Sequence, residues 1–170
     1  MATHTLLTGG AGFIGSSLAR HLVEAGHQLV VLDKLTYAGN RENLRGLDLE
    51  LVVGDVCDKD LVQELVAESD IVIHAAAESH VTRSHQNAGP FIRTNIEGSR
   101  TVVQAAAEAQ TPHCIHLSTD EVFGPATKGH RFGIDDTHRP SNAYAASKAS
   151  AEAFLQVIRQ RSGYPCTVVR

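Results

Sequence analysis

Residues 3–15, Thr3-His4-Thr5-Leu6-Leu7-Thr8-Gly9-Gly10-Ala11-Gly12-Phe13-Ile14-Gly15, decide the fold. Thr3 to Thr8 reads as a short apolar strand that stops at glycines. Helical periodicity then runs from Phe13 to Ala25, with Ile14, Leu18, Leu22 and Val23 on one side and Gly26 as the stop. A helix that opens this way leaves its first N–H groups free, and with the positive end of the helix dipole they attract phosphate. In the Gly-x-x-Gly-x-x-Gly spacing, Gly9 allows the tight turn and Gly12 lets a pyrophosphate reach the backbone. Gly15 lets the helix pack closely on the strand. Asp33 ends the next strand, 18 residues past Gly15. A carboxylate there accepts from an adenine-ribose 2′-hydroxyl and repels a 2′-phosphate, which favours NAD over NADP. The competing reading is a strand-to-helix turn that holds no phosphate.

Outward from this turn, strand-like and helix-like segments alternate. Strands are expected at Gln28 to Asp33, Glu50 to Val53, Asp70 to Ala75, His113 to Ser118 and Cys166 to Val169. Helices are expected at about Lys59 to Glu68, Pro90 to Ala109 and Asn142 to Arg161. Strands rich in Val, Ile and Leu with helices between them imply a parallel sheet covered on both faces. Right-handed crossovers then give a doubly wound, Rossmann-type α/β fold occupying residues 1–170 as one domain. The loop from Gly124 to Ser141 is long enough to suggest a function of its own.

Composition is that of an ordinary globular chain: 170 residues, 42% hydrophobic and 20% charged. A net charge of -4 with no basic run longer than two residues argues against nucleic acid or an anionic membrane as partner. No stretch approaches the roughly 20 apolar residues of a membrane span. Cys57, Cys114 and Cys166 read as reduced thiols of a cytoplasmic protein. The ten histidines are scattered without ligand spacing, and no metal site is expected. His113 and His116, three apart in a strand, should face opposite ways.

Two further motifs carry chemistry. Tyr144 and Lys148 are four apart on a helix and share a face. A tyrosine with a free pKa near ~10 is a poor base at neutral pH, and a neighbouring ammonium should lower that value. Tyr144 could then take a proton from a substrate hydroxyl while hydride leaves the same carbon. Ser118-Thr119-Asp120-Glu121 follows the fifth strand, where the carboxyl ends of parallel strands line the ligand crevice. An acid and a base beside a redox pair point to oxidation coupled to loss of water. Taken alone, the acidic pair would also suit a solvated turn, and Tyr-x-x-x-Lys a helix with one packed and one solvated side chain.

Together these residues resemble the extended short-chain dehydrogenase/reductase family, most closely the dTDP-glucose 4,6-dehydratases. The resemblance covers nearly the whole chain. Its most specific segments are Asp33-Lys34-Leu35-Thr36-Tyr37-Ala38-Gly39-Asn40 and Ser118-Thr119-Asp120-Glu121-Val122. It also takes in Gly54-Asp55, Ala76-Ala77-Glu78-Ser79-His80-Val81, Thr94-Asn95 and Tyr144-Ala145-Ala146-Ser147-Lys148. The resemblance implies a lyase reaction with NAD, in which C4 of a nucleotide-activated hexose is oxidised, water leaves across C5 and C6, and hydride returns to C6. It implies that Asp33, Lys34, Leu35, Thr36, Asp55 and Val56 hold the adenosine half of NAD. Ala76, Ala77, Glu78, Ser79, His80 and Thr94 would line the path to the nicotinamide, with His80 also near substrate. Thr119 would bond the C4 hydroxyl, Tyr144 with Lys148 would take its proton, Glu121 would remove the C5 proton and Asp120 would protonate the departing C6 hydroxyl. A homodimer is implied, with Asn142 to Arg161 in its interface.

Thr82, Phe123 and Ala143 depart from the residues usual in the family (Asp, Tyr and Pro), and none removes a proposed catalytic group. Family members are about twice this length, and the expectation is a truncated form lacking the C-terminal substrate domain, weak or inactive alone. A 4-epimerase or decarboxylase of the same fold is the first alternative, and a non-catalytic NAD-binding module the second.

Overall fold

The computed structural model describes residues 2–170. Six strands, β1 (His4–Thr8), β2 (Gln28–Asp33), β3 (Glu50–Val53), β4 (Ile71–His74), β5 (His113–Leu117) and β6 (Thr167–Val169), form one sheet in the order β3-β2-β1-β4-β5-β6. Every neighbouring pair is parallel. The doubly wound sheet expected from the sequence is therefore present. Strand order reverses between β1 and β4, and the crevice beyond their carboxyl ends is where such sheets take ligands.

The apolar runs arise because both faces of the sheet are covered. Leu6, Leu32 and Val72 point to one side, into a core shared with Val62, Val66, Val102 and Val103. Their neighbours Leu7, Val31 and Ile73 point to the other, with Ala11, Ala19 and Leu29. The first core is closed by α2 (Lys59–Ala67), α5 (Ser99–Ala109) and α6 (Ala143–Ser162), the second by α1 (Phe13–Glu24). His116 is fully buried while His113 is exposed, as their spacing implies.

Three features differ from the sequence reading. A short helix, α3 (Val81–Gln86), follows β4, and 3-10 turns occupy Arg41–Leu44 and Asp120–Phe123. The helix expected from Pro90 is a composite: α4 (Gly89–Phe91), a π-helical segment (Ile92–Gly98), then α5. The wider π turn carries Asn95, which is fully buried and points at the crevice walls. Phe123 is buried, stacked 5.2 Å from Phe132 and met edge-on by His138 at 5.3 Å, which ties the 124–141 loop to the sheet end.

Candidate active site

The glycine turn is built as its spacing requires. Gly9 has φ +73, and a Cβ there would lie 2.6 Å from the backbone N and Cα of Ala76, just past the end of β4. Helix α1 begins at Phe13 after Gly12, with no side chain capping it, so its first N–H groups stay free for an anion. Phe13 beside them is 91% exposed among the described residues, an apolar ring at the lip of a cleft.

That cleft holds about 460 Å³ and runs from the Gly9–Gly15 turn, past Asp33, Lys34, Thr36, Asp55 and Val56, to Ala76, Ala77, Glu78, Ser79 and Thr94. It ends at Tyr144 and Lys148. Seventeen of the expected cofactor residues, Phe13 and Ile14 included, thus share one continuous wall. Leu35 and His80 do not line it. Leu35 has φ +52, packs into the core beside α1, and gives its N–H to Asp33. His80 is exposed at the start of α3. Gly54 and Ser118, quoted in the sequence motifs without a role of their own, and Arg170, which no motif includes, also line it.

Asp33 has two duties. Oδ2 accepts from the Ala11 N–H at 2.9 Å and Oδ1 from the Leu35 N–H at 2.8 Å. Each oxygen keeps a lone pair for a ribose hydroxyl. Asp55 accepts from Lys34 Nζ at 2.8 Å and from the Cys57 N–H at 3.0 Å. Burial opposes its ionisation, but the Lys34 ammonium and the Cys57 N–H outweigh it and hold the carboxyl at about 2.

At the other end, Asn142 organises the acid–base turn. Its Oδ1 caps α6 by accepting from the Ala145 N–H at 2.8 Å, while Nδ2 donates to Glu121 Oε2 at 2.7 Å. Thr119 caps the turn through the Glu121 N–H at 3.3 Å. Thr119, Asp120 and Glu121 lie outside the cleft lining but at the start of the helix that bears Tyr144, because Asn142, its cap, bonds Glu121. Asn95, which the motif reading quoted but gave no role, bonds the Glu78 N–H and C=O at 2.8 Å each and Ser147 Oγ at 2.8 Å. It locks the cleft wall to the helix that bears Tyr144.

One expectation is corrected here. Lys148 does not lower the Tyr144 pKa in this structure. Its Nζ, almost fully buried, donates to the Leu117 carbonyl at 2.5 Å. Burial pushes Tyr144 above the usual phenol value, with Glu121 and Asp120 adding to the rise and the Thr119 hydroxyl opposing it. Lys148 itself is held down to about 8 by burial, against an opposing pull from Glu152.

Among the described residues no group of three His, Cys, Asp or Glu could hold a metal, and no helix is long and apolar enough to cross a membrane.

A parallel sheet with a dinucleotide cleft at its switch point and a Tyr–Lys pair at the cleft's end defines an α/β protein of the nucleotide-cofactor redox class. Residues 5–170 match the model of the NAD dependent epimerase/dehydratase family, and the chain belongs to that family. It is 42% identical over 170 residues to the low-salt glycan biosynthesis protein Agl12 of Haloferax volcanii, covering 97% of this chain and 54% of that protein. It is 39% identical to a dTDP-glucose 4,6-dehydratase of Streptomyces niveus, covering 97% and 52%. The crystal structure of DesIV, a dTDP-glucose 4,6-dehydratase from Streptomyces venezuelae with NAD and TYD bound, superposes with a TM-score of 0.92 at 38% identity. The match covers 97% of this chain and 54% of that one. The chain thus spans about half the length of the curated relatives it matches. NAD is the family's cofactor, and the free helix start, the glycine close approach and Asp33 fit it.

Proposed function

We propose that this chain carries the cofactor and acid–base centre of an enzyme that dehydrates a nucleotide-activated hexose, dTDP-glucose or a close analogue, to a 4-keto-6-deoxy sugar. The observation that carries this reading is the Asp120-Glu121 turn bonded through Asn142 to the start of the Tyr144 helix, at the end of a cleft that fits NAD. NAD supplies a hydride acceptor for C4 and, once reduced, a hydride donor for C6. Every proton in the reaction falls to side chains of the chain.

Thr119 bonds the C4 hydroxyl and Tyr144 takes its proton. The resting phenol is held protonated by burial and two carboxylates, so its loss of a proton needs positive charge close by. Lys148, one turn along α6, is the chain's own source once its ammonium turns from the Leu117 carbonyl to the phenol. Once C4 is a ketone, the C5 proton is acidic. Glu121 removes it, oriented by Asn142, Asp120 protonates the departing C6 oxygen, and Glu121 gives its proton back to C5 as C6 takes up hydride. His80 lies toward the sugar. We further infer a cytoplasmic homodimer, supported by Phe154 and Val157, which leave about half their surface exposed on α6.

The test is product analysis after incubation of the protein, in the length at which its source makes it, with NAD and dTDP-glucose. A 4-keto-6-deoxy product is expected. Glu121→Gln should stop dehydration and leave some C4 oxidation. Because the family includes epimerases, a 4-epimer formed without loss of water would favour that activity and overturn the assignment of Glu121.

A further inference from the structure

The α6 face that bears Tyr144 and Lys148 carries a third ionisable residue one turn further on. Glu152 is 8% exposed, an uncommon burial for a carboxylate. It accepts from Ser118 Oγ on one oxygen. Arg170 closes on it with Nε at 3.1 Å from both oxygens and Nη2 at 2.5 Å from Oε2. His138 Nε2 lies 3.7 Å away. Ser118 directly precedes the Thr119-Asp120-Glu121 turn, and its N–H is bonded to Val169 O at 2.7 Å. Ser118 and Arg170 both line the cofactor cleft. One buried carboxylate thus joins the carboxyl ends of β5 and β6 to the helix that bears the redox pair.

We propose that Glu152 is a positioning residue of the active site: it fixes Ser118 and Arg170 beneath the acid–base turn and supplies the counter-charge that keeps Lys148 an ammonium. The geometry leaves Lys148 little else. Among the described residues its Nζ bonds only a neutral carbonyl, that of Leu117. The groups facing it from β4 and β5 are His74 and His116, both buried and both pushed down by burial, so neither offers a negative charge. Tyr144 on its own helix is protonated at rest. Arg170 and His138 both meet Glu152, and neither offers the lysine a negative charge. Burial has already brought Lys148 down to about 8, and Glu152 is the one group opposing that fall. Without it, the lysine would be neutral over much of the range in which the enzyme works.

The proposal rests on the reading of Tyr144 and Lys148 as the redox pair, but its test does not need turnover. Lysine side chains carrying 13C at Cε are titrated by NMR in the 170-residue chain, with Lys148 assigned by its loss in Lys148→Met. The parent should show a midpoint near 8. Glu152→Gln, which keeps the shape, should lower it by about one pH unit or more, the size expected for loss of a carboxylate one helical turn away in a partly polar interior. Glu152→Asp should restore it. Arg170→Gln, which removes the competing cation, should raise it, and this variant decides the matter if Glu152→Gln fails to fold. A Lys148 midpoint unmoved by Glu152→Gln, or lowered by Arg170→Gln, would overturn the proposal. If the midpoints move as expected while no dehydration is found, the reading of the reaction fails and the positioning role stands.

Discussion

Asp33→Asn separates the two duties of the carboxylate at the end of β2. The native group is 9% exposed and takes two backbone N–H groups, Ala11 on Oδ2 and Leu35 on Oδ1. Asparagine has one acceptor oxygen and one amide donor. One N–H keeps a partner, now uncharged, and the other faces a donor. A bond to a charged acceptor is worth about 1.5–3 kcal/mol net and a neutral one about 1. Losing one and weakening the other costs about 3 kcal/mol. At roughly 2–4 °C per kcal/mol for a chain of this size, the melting temperature should fall by about 6–12 °C. Thermal and urea unfolding followed by circular dichroism measures this directly. Calorimetric titration with NAD and NADP adds the second duty: NAD should bind more weakly, and discrimination against NADP should shrink as the repelling charge disappears. A variant within about 1 kcal/mol of the parent, with NAD and NADP affinities unchanged, would refute the dual role.

Gly9→Ala forces a Cβ to within 2.6 Å of the Ala76 backbone at φ +73, and should cost at least about 2 kcal/mol and remove measurable NAD binding by calorimetry. His74 is buried and neutral, with a pKa lowered from 6.5 to about 3, and His116 is lowered further. The unfolded chain therefore binds more protons than the folded one as pH falls below 6.5, so this stability is present above 6.5 and is lost toward pH 3. Neither ring nitrogen of His116 has a hydrogen-bond partner among the described residues, so His116→Leu should keep or raise stability at neutral pH and flatten the acid side of the stability curve. Cys114 and Cys166 sit in register on β5 and just before β6 with sulfurs 3.4 Å apart, and mild oxidation should link them. Peptide mapping with intact mass should find that disulfide with Cys57 left free; a mixed or intermolecular product would contradict the placement.

The elements that set the fold were legible because burial on both faces writes itself into composition. Leu29 to Leu32 and Leu51 to Val53, bounded by Asp33 and Gly54, could be bracketed to the residue. α3 was not, since Val81-Thr82-Arg83-Ser84-His85-Gln86 buries only Ser84 and shows no apolar period. The π turn at Ile92–Gly98 was invisible because an inserted residue breaks the 3.6 period that would reveal a helix. In the site, glycines and the Tyr–Lys spacing carry local geometry and could be read directly. The direction of the Lys148 ammonium could not, because it is set by the Leu117 carbonyl, 31 residues away in sequence. The links from Asn95 to Ser147 and from Glu152 to Arg170 likewise join distant segments, and a motif scan sees only their separate letters.

The central claim is that one chain both oxidises a sugar carbon and removes water beside it, using Tyr144 for the first task and Asp120 with Glu121 for the second. The most direct measurement follows deuterium placed at C4 of dTDP-glucose through the reaction of the protein, taken at the length its source makes, with NAD. The account predicts a 4-keto-6-deoxy product with that deuterium in its C6 methyl group, and none of it when Tyr144 is replaced by Phe. A 4-keto-6-deoxy product whose methyl group lacks that deuterium, or a 4-epimer that keeps it at C4, would contradict the account.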